Sequence, residues 1–353
     1  MSDNAVPNEF NGVLSNNTKT RVESILKFCN ERINSVEQIV TKVLKDSNIS
    51  PDEICVVVVG SVGRSEAMDG GGADIDLIPI LKFDESAERF RGTNDDSIDA
   101  RLREAIRSEL QVKVSKGDDL TKADSILQVS SADTIGTDKD SSGMLTKRIL
   151  ILTEGRQAGG EYPIRDVRQS ILDAYASQER TRGRHVLSLC NDVARYYRTL
   201  CIEYKGRIDS EAKAWATRNM KLRHSRKFWY FSTMLMMADI GLSTVEPEDA
   251  AAAILNALEV APMVRLLKAL PEDVRPACRE LLERFIWFIE FMSTQENREA
   301  LESVSHDSRR QLTSSNPFPA LKLNSDVMHH EMLSIIDALP VPMRRRVLDW
   351  FLL

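Results

Sequence analysis

Val58-Val59-Gly60-Ser61-Val62-Gly63-Arg64-Ser65-Glu66-Ala67-Met68-Asp69-Gly70-Gly71-Gly72-Ala73-Asp74-Ile75-Asp76-Leu77-Ile78-Pro79 closes one apolar run, turns on glycines and opens a second apolar run that carries two aspartates. Ile54 to Val59 is short, β-branched and bounded by Pro51 and Gly60, which predicts a buried strand rather than a helix. Gly60-Ser61 turns the chain, and a short helix is predicted from Val62 to Met68. Asp69-Gly70-Gly71-Gly72 then reads as a flexible or left-handed turn, since glycine enters positive φ without steric cost. A second strand is predicted from Ala73 to Lys82. Side chains alternate along a strand, so Asp74 and Asp76 face the same way, about 7 Å apart, while Ile75 and Leu77 face the core.

Two carboxylates aimed together repel each other. They become a good site for one or two hard divalent cations that also take phosphate oxygens, with magnesium the natural guest and manganese a substitute. Ions held this way activate an attacking hydroxyl and neutralise a pyrophosphate leaving group in an in-line displacement. Gly60, Ser61 and Gly63 form a turn with little side-chain bulk, and its backbone N–H groups and hydroxyl suit a triphosphate. Arg64 adds a charge-assisted contact. The competing reading is a strand, a turn and surface aspartates without chemistry. Asp-x-Asp alone or Gly-Ser alone is a weak signal, whereas their order, separation and placement on strand, turn and strand are specific.

The segment resembles the signature of the polymerase-beta-like nucleotidyltransferase superfamily, Gly-Ser followed after about a dozen residues by an Asp-x-Asp strand. The resemblance implies an α+β fold, a mixed sheet with flanking helices followed by an all-helical domain. It also implies Mg²⁺ and a nucleoside triphosphate bound at Gly60, Ser61, Asp74 and Asp76. Leu145-Thr146-Lys147-Arg148-Ile149-Leu150-Ile151-Leu152-Thr153-Glu154-Gly155-Arg156, with Gly159 and Gly160, is similar to the helix after the catalytic domain of PII uridylyltransferase-like proteins. The superfamily usually carries a third carboxylate on a later strand. The candidate strand Gln111-Val112-Lys113-Val114-Ser115 has none, and Asp118, Asp119 and Asp124 lie nearby without a motif to choose among them.

Outward from this segment, Val22, Ile25, Cys29, Ile33, Val36, Val40 and Val43 recur at spacings of three and four, the stripe of an amphipathic helix. Residues 84 to 98 read as loop, Ala100 to Leu110 as helix, and Leu110 to Ser115 as a third strand. Beyond Met144 the period is helical nearly to the end, with Leu145, Ile149 and Leu152 in one helix and Leu187 to Cys201 marking a longer one. A catalytic domain is therefore expected over 1–160 and a helical domain over 161–353, a length that favours two domains.

The chain has a net charge of -6 with 28% charged residues, which argues against a general affinity for nucleic acid or anionic membrane. Its five cysteines are scattered, odd in number and lack a C-x-x-C pair, so they read as reduced thiols rather than a zinc site or disulfide framework. Cys55 beside four valines reads as a buried small hydrophobe. The polar start and the absence of an 18-residue apolar run predict a cytoplasmic protein without a membrane partner.

One stretch departs from the acidic balance: Lys213, Arg218, Lys221, Arg223, Arg226 and Lys227 occur without an acidic residue between them, interleaved with Trp215, Phe228, Trp229 and Tyr230. It reads either as a surface that closes on the triphosphate or guides an acceptor strand, with Lys221, Arg223 and Arg226 binding nucleotide, or as a solvated helix face whose aromatics pack. His224 reads as a polar surface residue, and Met234, Met236 and Met237 as core filler. The apolar end from Trp350 to Leu353 docks either on the domain or on a second subunit.

The expected activity is transfer of a nucleoside monophosphate to an acceptor hydroxyl, on a protein by analogy with the uridylyltransferase-like group. An RNA 3′ end and a cyclic oligonucleotide are the alternative products. A reading of another class is a non-catalytic nucleotide-binding regulator in a toxin–antitoxin or antiviral system, which the missing third acid favours.

Overall fold

A computed structural model describes residues 7–70, 74–82, 97–114, 121–122, 142–178, 185–210, 215–244, 246–306, 308–310 and 316–351. Asp118, Asp119, Asp124, Lys213 and most of the loop expected over 84–98 lie outside these residues. The described chain is mixed α and β and mostly helical.

Helix α1 (Asn16–Asp46) starts at Ser15, whose hydroxyl accepts from the Thr18 N–H at 3.2 Å and so satisfies one of the free donors of the first turn. Every position of its predicted stripe is buried. Strand β1 (Ile54–Val59) lies between β2 (Asp76–Leu81), antiparallel to it, and the short β4 (Arg156–Gln157), also antiparallel. The fourth strand, β3 (Thr121–Lys122), pairs parallel with the far end of β2, giving the mixed order β3-β2-β1-β4.

Both faces of β1 are covered, which explains its unbroken apolar run. Ile54, Val56 and Val58 belong to one cluster with Cys29, Val36 and Val40 of α1 and Leu102 and Ile106 of α3 (Ile98–Leu110). Cys55, Val57 and Val59 belong to the other, with Ile149 and Leu152 of α4 (Ser142–Thr153) and Val167 and Ile171 of α5 (Ile164–Gln178). Burial pushes the Cys55 thiol up to about 12, as befits a packing residue. That second cluster runs on through α6 (His185–Ser210), α7 (Trp215–Lys221), α8 (Lys227–Ser243) and the later helices, so one apolar core joins the residues before and after 160.

Helix α8 is buried nearly all round, with Met234, Met236 and Met237 in the core as expected. Against it pack α9 (Pro247–Ala257), α10 (Pro262–Ala269) and α14 (Val341–Phe351), while α11 (Arg279–Ser293), α12 (Gln295–Glu302) and α13 (Phe318–Ala338) follow in the chain, with α11 packed on α12 and α13. The final helix docks on the domain itself: Trp350 is buried, and a Cβ on Gly241 of α8 would stand 2.5 Å from its indole. Among the described residues, no helix is long and apolar enough to cross a membrane.

Three local expectations are corrected. The helix expected over Val62 to Met68 is a single turn, α2 (Gly60–Gly63), because Arg64 is drawn into buried ion pairs and Ser65 takes φ 55. Strand β2 begins at Asp76 rather than Ala73, with Ile75 forming an isolated parallel bridge to Val114. Of the third strand expected over Leu110 to Ser115, the described residues, which end at Val114, form only that bridge, because Gln111 at φ 51 ends α3 in a left-handed turn.

Candidate nucleotide-binding cleft

The turn after β1 and the start of β2 meet at one end of the sheet, where Val59 pairs with Asp76. Gly60 has φ +75, and a Cβ there would stand 2.3 Å from Oδ2 of Asp76. The left-handed backbone favours glycine at this position, and a side chain there would push the Asp76 carboxylate aside. Asp76 is half-buried and Asp74 exposed. Ile75 and Leu77 are buried in the cluster on the α1 side, so the predicted alternation holds.

Asp74 and Asp76 line a cleft of about 240 Å³ with Ser61, Arg64, Glu66 and Lys113 from the sheet side. Thr217, Lys221, Ser225 and Arg226 come from α7 and the turn after it, and Phe288, Ile289, Met292, Arg298 and Glu302 from α11 and α12. Ser225 and Arg226 join Thr217 and Lys221 at the cleft from Leu222–Arg226, a π-helical turn between α7 and α8. A widened turn of this kind changes which residues share a face, and it recurs at functional sites. Here three consecutive side chains take different partners: His224 stacks on Phe288, Ser225 bonds to Arg64 and Glu66, and Arg226 bonds to Glu154.

Arg64 is not a free phosphate ligand. It is buried, with Nε on Glu66 at 2.9 Å, Nη1 on Glu154 at 2.5 Å and Nη2 on the Ser225 hydroxyl at 3.0 Å. Glu154 accepts in addition from Arg226 at 2.7 Å and from the Gly60 N–H at 3.1 Å. That backbone donor, expected to face phosphate, faces Glu154 instead. Gly63 also has a packing role, since a Cβ on it would stand 2.5 Å from the Glu154 carbonyl oxygen and 2.7 Å from that of Val58. The network ties the Gly60 turn to the helical part of the molecule, and a buried network is stable only while every member keeps its partner.

Burial opposes the charge on Glu154, but Arg226 and Arg64 outweigh it and hold the carboxyl below the usual range. Burial dominates at Glu66 and raises its carboxyl, despite Arg64 and Ser225. Oε1 of Glu66 and Oγ1 of Thr217, both on cleft-lining residues, are buried without a hydrogen-bond partner.

Lys221 is exposed within the cleft, where the enclosing protein lowers its ammonium while Asp74 and then Asp76 act to raise it. It lines the same cleft as Asp74 and Asp76. Arg226 lines the cleft but is committed to Glu154. Arg223 is not brought to the cleft; it pairs with Asp326 of α13 at 3.3 Å. His224 is fully buried rather than on the surface, its ring 4.1 Å from that of Phe288, and burial lowers it to about 4.

The interleaved aromatics are packing groups. Trp229 is buried and donates to Thr153 at 3.1 Å, Phe228 stacks on Phe285, Tyr230 stacks on Tyr197, and Trp215 lies against Phe318. None of the four lines the cleft. Glu66 and Glu154 stood within the quoted motifs, but nothing in their spacing showed that they converge on one arginine. Lys113, Thr217 and Arg298 carried no sequence signal at all.

Asp74 and Asp76 are hard oxygen donors of the kind that suit Mg²⁺ or Mn²⁺. Among the described residues no group of three or more His, Cys, Asp or Glu side chains is placed to hold a metal. The donor set thus fits a cation whose remaining ligands are phosphate oxygens and water. The chain matches no protein-family model and no curated protein.

Proposed function

We propose that the cleft binds a nucleoside triphosphate with Mg²⁺ and transfers its nucleoside monophosphate to an acceptor hydroxyl. The observation that carries this reading is the contact between the Gly60 turn and Asp76 at the mouth of a cleft that also holds Asp74, Ser61 and Lys221. The resemblance of the same residues to the polymerase-beta-like signature supports it.

Asp74 and Asp76 would hold the cation, which when bound polarises phosphate oxygens and neutralises developing charge. Lys221 and Lys113 supply further positive charge for the phosphates, and the Ser61 hydroxyl a hydrogen bond. Met68, Phe288, Ile289 and Met292 form an apolar wall suited to the face of a base. The acceptor hydroxyl gives up its proton to solvent, its oxygen bonds to the α-phosphorus, the bond to the bridging oxygen breaks, and pyrophosphate leaves with that electron pair.

A protein hydroxyl is the proposed acceptor, by analogy alone. An RNA 3′ end is less favoured, because the aromatics expected to stack bases are packing groups. The second reading, a non-catalytic nucleotide-binding regulator, draws support from the cleft-lining residue next to the Val114 bridge, which is Lys113 rather than an acid.

Incubating the protein with each α-³²P-labelled nucleoside triphosphate, Mg²⁺ or Mn²⁺, and cell lysate or bulk RNA tests these readings. Label in protein, RNA or a cyclic product from the wild type, but not from Asp74→Ala or Asp76→Ala, is expected and names the acceptor. Triphosphate binding without transfer would move the assignment to the regulator.

A further inference from the structure

We infer that a second cavity, behind the turn that follows β1, is a binding site for a small organic phosphate, with Arg265 and the start of α10 holding the phosphate. The cavity, of about 360 Å³, lies between residues 153–156, where α4 ends and β4 begins, and residues 258–268, which lead into α10. Ser61, Arg64 and Glu66 line the nucleotide cleft, whereas Gly63 and Ser65, which alternate with them, line this cavity. The two sites therefore share a wall and no lining residue.

Arg265 is only 2% exposed, yet its guanidinium bonds to neutral oxygens: Nη1 to the Thr233 hydroxyl at 3.1 Å, and Nη2 to the carbonyls of Thr153 at 3.0 Å and Val260 at 3.2 Å. Thr153 and Val260 themselves line the cavity, which sets the guanidinium in its wall. Nε is buried without a hydrogen-bond partner. The three carboxylates on cavity-lining residues are each taken by another cation: Glu154 by Arg64 and Arg226, Glu259 by Arg165, and Glu9 by Lys268. Arg168, a second buried guanidinium held on the Ile151 and Gly155 carbonyls, adds its charge to the burial that lowers Arg265 to about 9. A buried charge without a counterion is costly, and an anion entering the cavity relieves that cost. The first turn of α10 borders the same space at Ala261, Pro262 and Val264, and no side chain caps it, so the positive end of the helix adds to the attraction. Arg156 is held at the cavity by Asn30 at 2.7 Å and Ser65 at 3.4 Å, both lining residues. Leu26, Leu258 and Val264 make part of the lining apolar, which suits a ligand with a carbon body rather than a free inorganic ion.

Calorimetric titration of the full chain with phenyl phosphate, without divalent cation and with inorganic phosphate as the second arm, tests the inference. One phenyl phosphate per chain is expected in the wild type and in Lys221→Ala, bound more tightly than inorganic phosphate. Ala261→Glu, which sets a carboxylate at the uncapped start of α10, and Arg265→Met should each weaken binding about tenfold or more. Binding lost in Lys221→Ala but kept in Ala261→Glu would place the anion in the nucleotide cleft and overturn the inference. Absence of binding, or inorganic phosphate bound as tightly as phenyl phosphate, would overturn it as well. Residue 261 is partly exposed, so Ala261→Glu decides the matter should melting curves show Arg265→Met unfolded.

Discussion

The Cα of Gly60 carries the carboxylate of Asp76 directly above it, so close that a Cβ at residue 60 would stand 2.3 Å from Oδ2. The turn follows directly on the Val59–Asp76 pair, so a side chain at residue 60 would shift the Asp76 carboxylate.

Gly60→Ala is therefore expected to abolish most transfer and Mn²⁺ retention together. The left-handed backbone at φ +75 costs alanine about 1–2 kcal/mol, so thermal denaturation should show a folded, modestly destabilised protein. A variant with wild-type metal retention would show that Asp76 is not held by this contact.

Glu154→Gln removes a buried charge shared by Arg64 and Arg226. Breaking one member of a buried ion-pair network costs about 3–5 kcal/mol, to be read as a lower urea midpoint at unchanged slope. Since the Glu154 carboxyl is held below the usual range, its contribution is present above the unfolded carboxylate pKa and is lost as pH falls through the depressed value. Glu154→Gln should lack that acid-limb loss.

His224 is buried as the neutral ring and lowered to about 4 from an ordinary 6.5. The unfolded chain binds a proton that the folded chain refuses, so stability should fall as pH drops from about 6.5 towards 4, by up to about 3 kcal/mol. Urea midpoints at pH 7.5 and pH 5 measure it. A phenylalanine at 224, stacked on Phe288 without a titrating nitrogen, should flatten that dependence.

Lys221→Ala and Arg223→Ala separate cleft from surface. The first removes an ammonium that lines the same cleft as Asp74 and Asp76, so the triphosphate KM should rise about tenfold or more, with the melting temperature nearly unchanged. The second removes half of an exposed pair with Asp326 and should change neither quantity appreciably. Equal effects of the two substitutions on KM would contradict the placement of the cleft.

Periodicity and composition were sufficient for α1, β1, α3, α4 and α6, and for the juxtaposition of Gly60 with the aspartate strand, because each depends on residues close in the chain. Apolar spacing is a local record of which face is buried. The partners of Arg64 were not legible in this way. Its three side-chain partners stand at 66, 154 and 225, and only the meeting of the sheet's end with the π-helical turn brings them to one guanidinium. The burial of His224 and the packing of Trp229 have the same origin: a basic, aromatic helix reads alike whether its rings meet solvent, a base or another helix. Lys113 too gives no signal in the sequence until the bridge between Ile75 and Val114 brings it to the cleft that Asp74 and Asp76 line. Local sequence determined the acidic pair and the turn beneath it, whereas long-range packing decided which cations surround them, since charge acts through space and not along the chain.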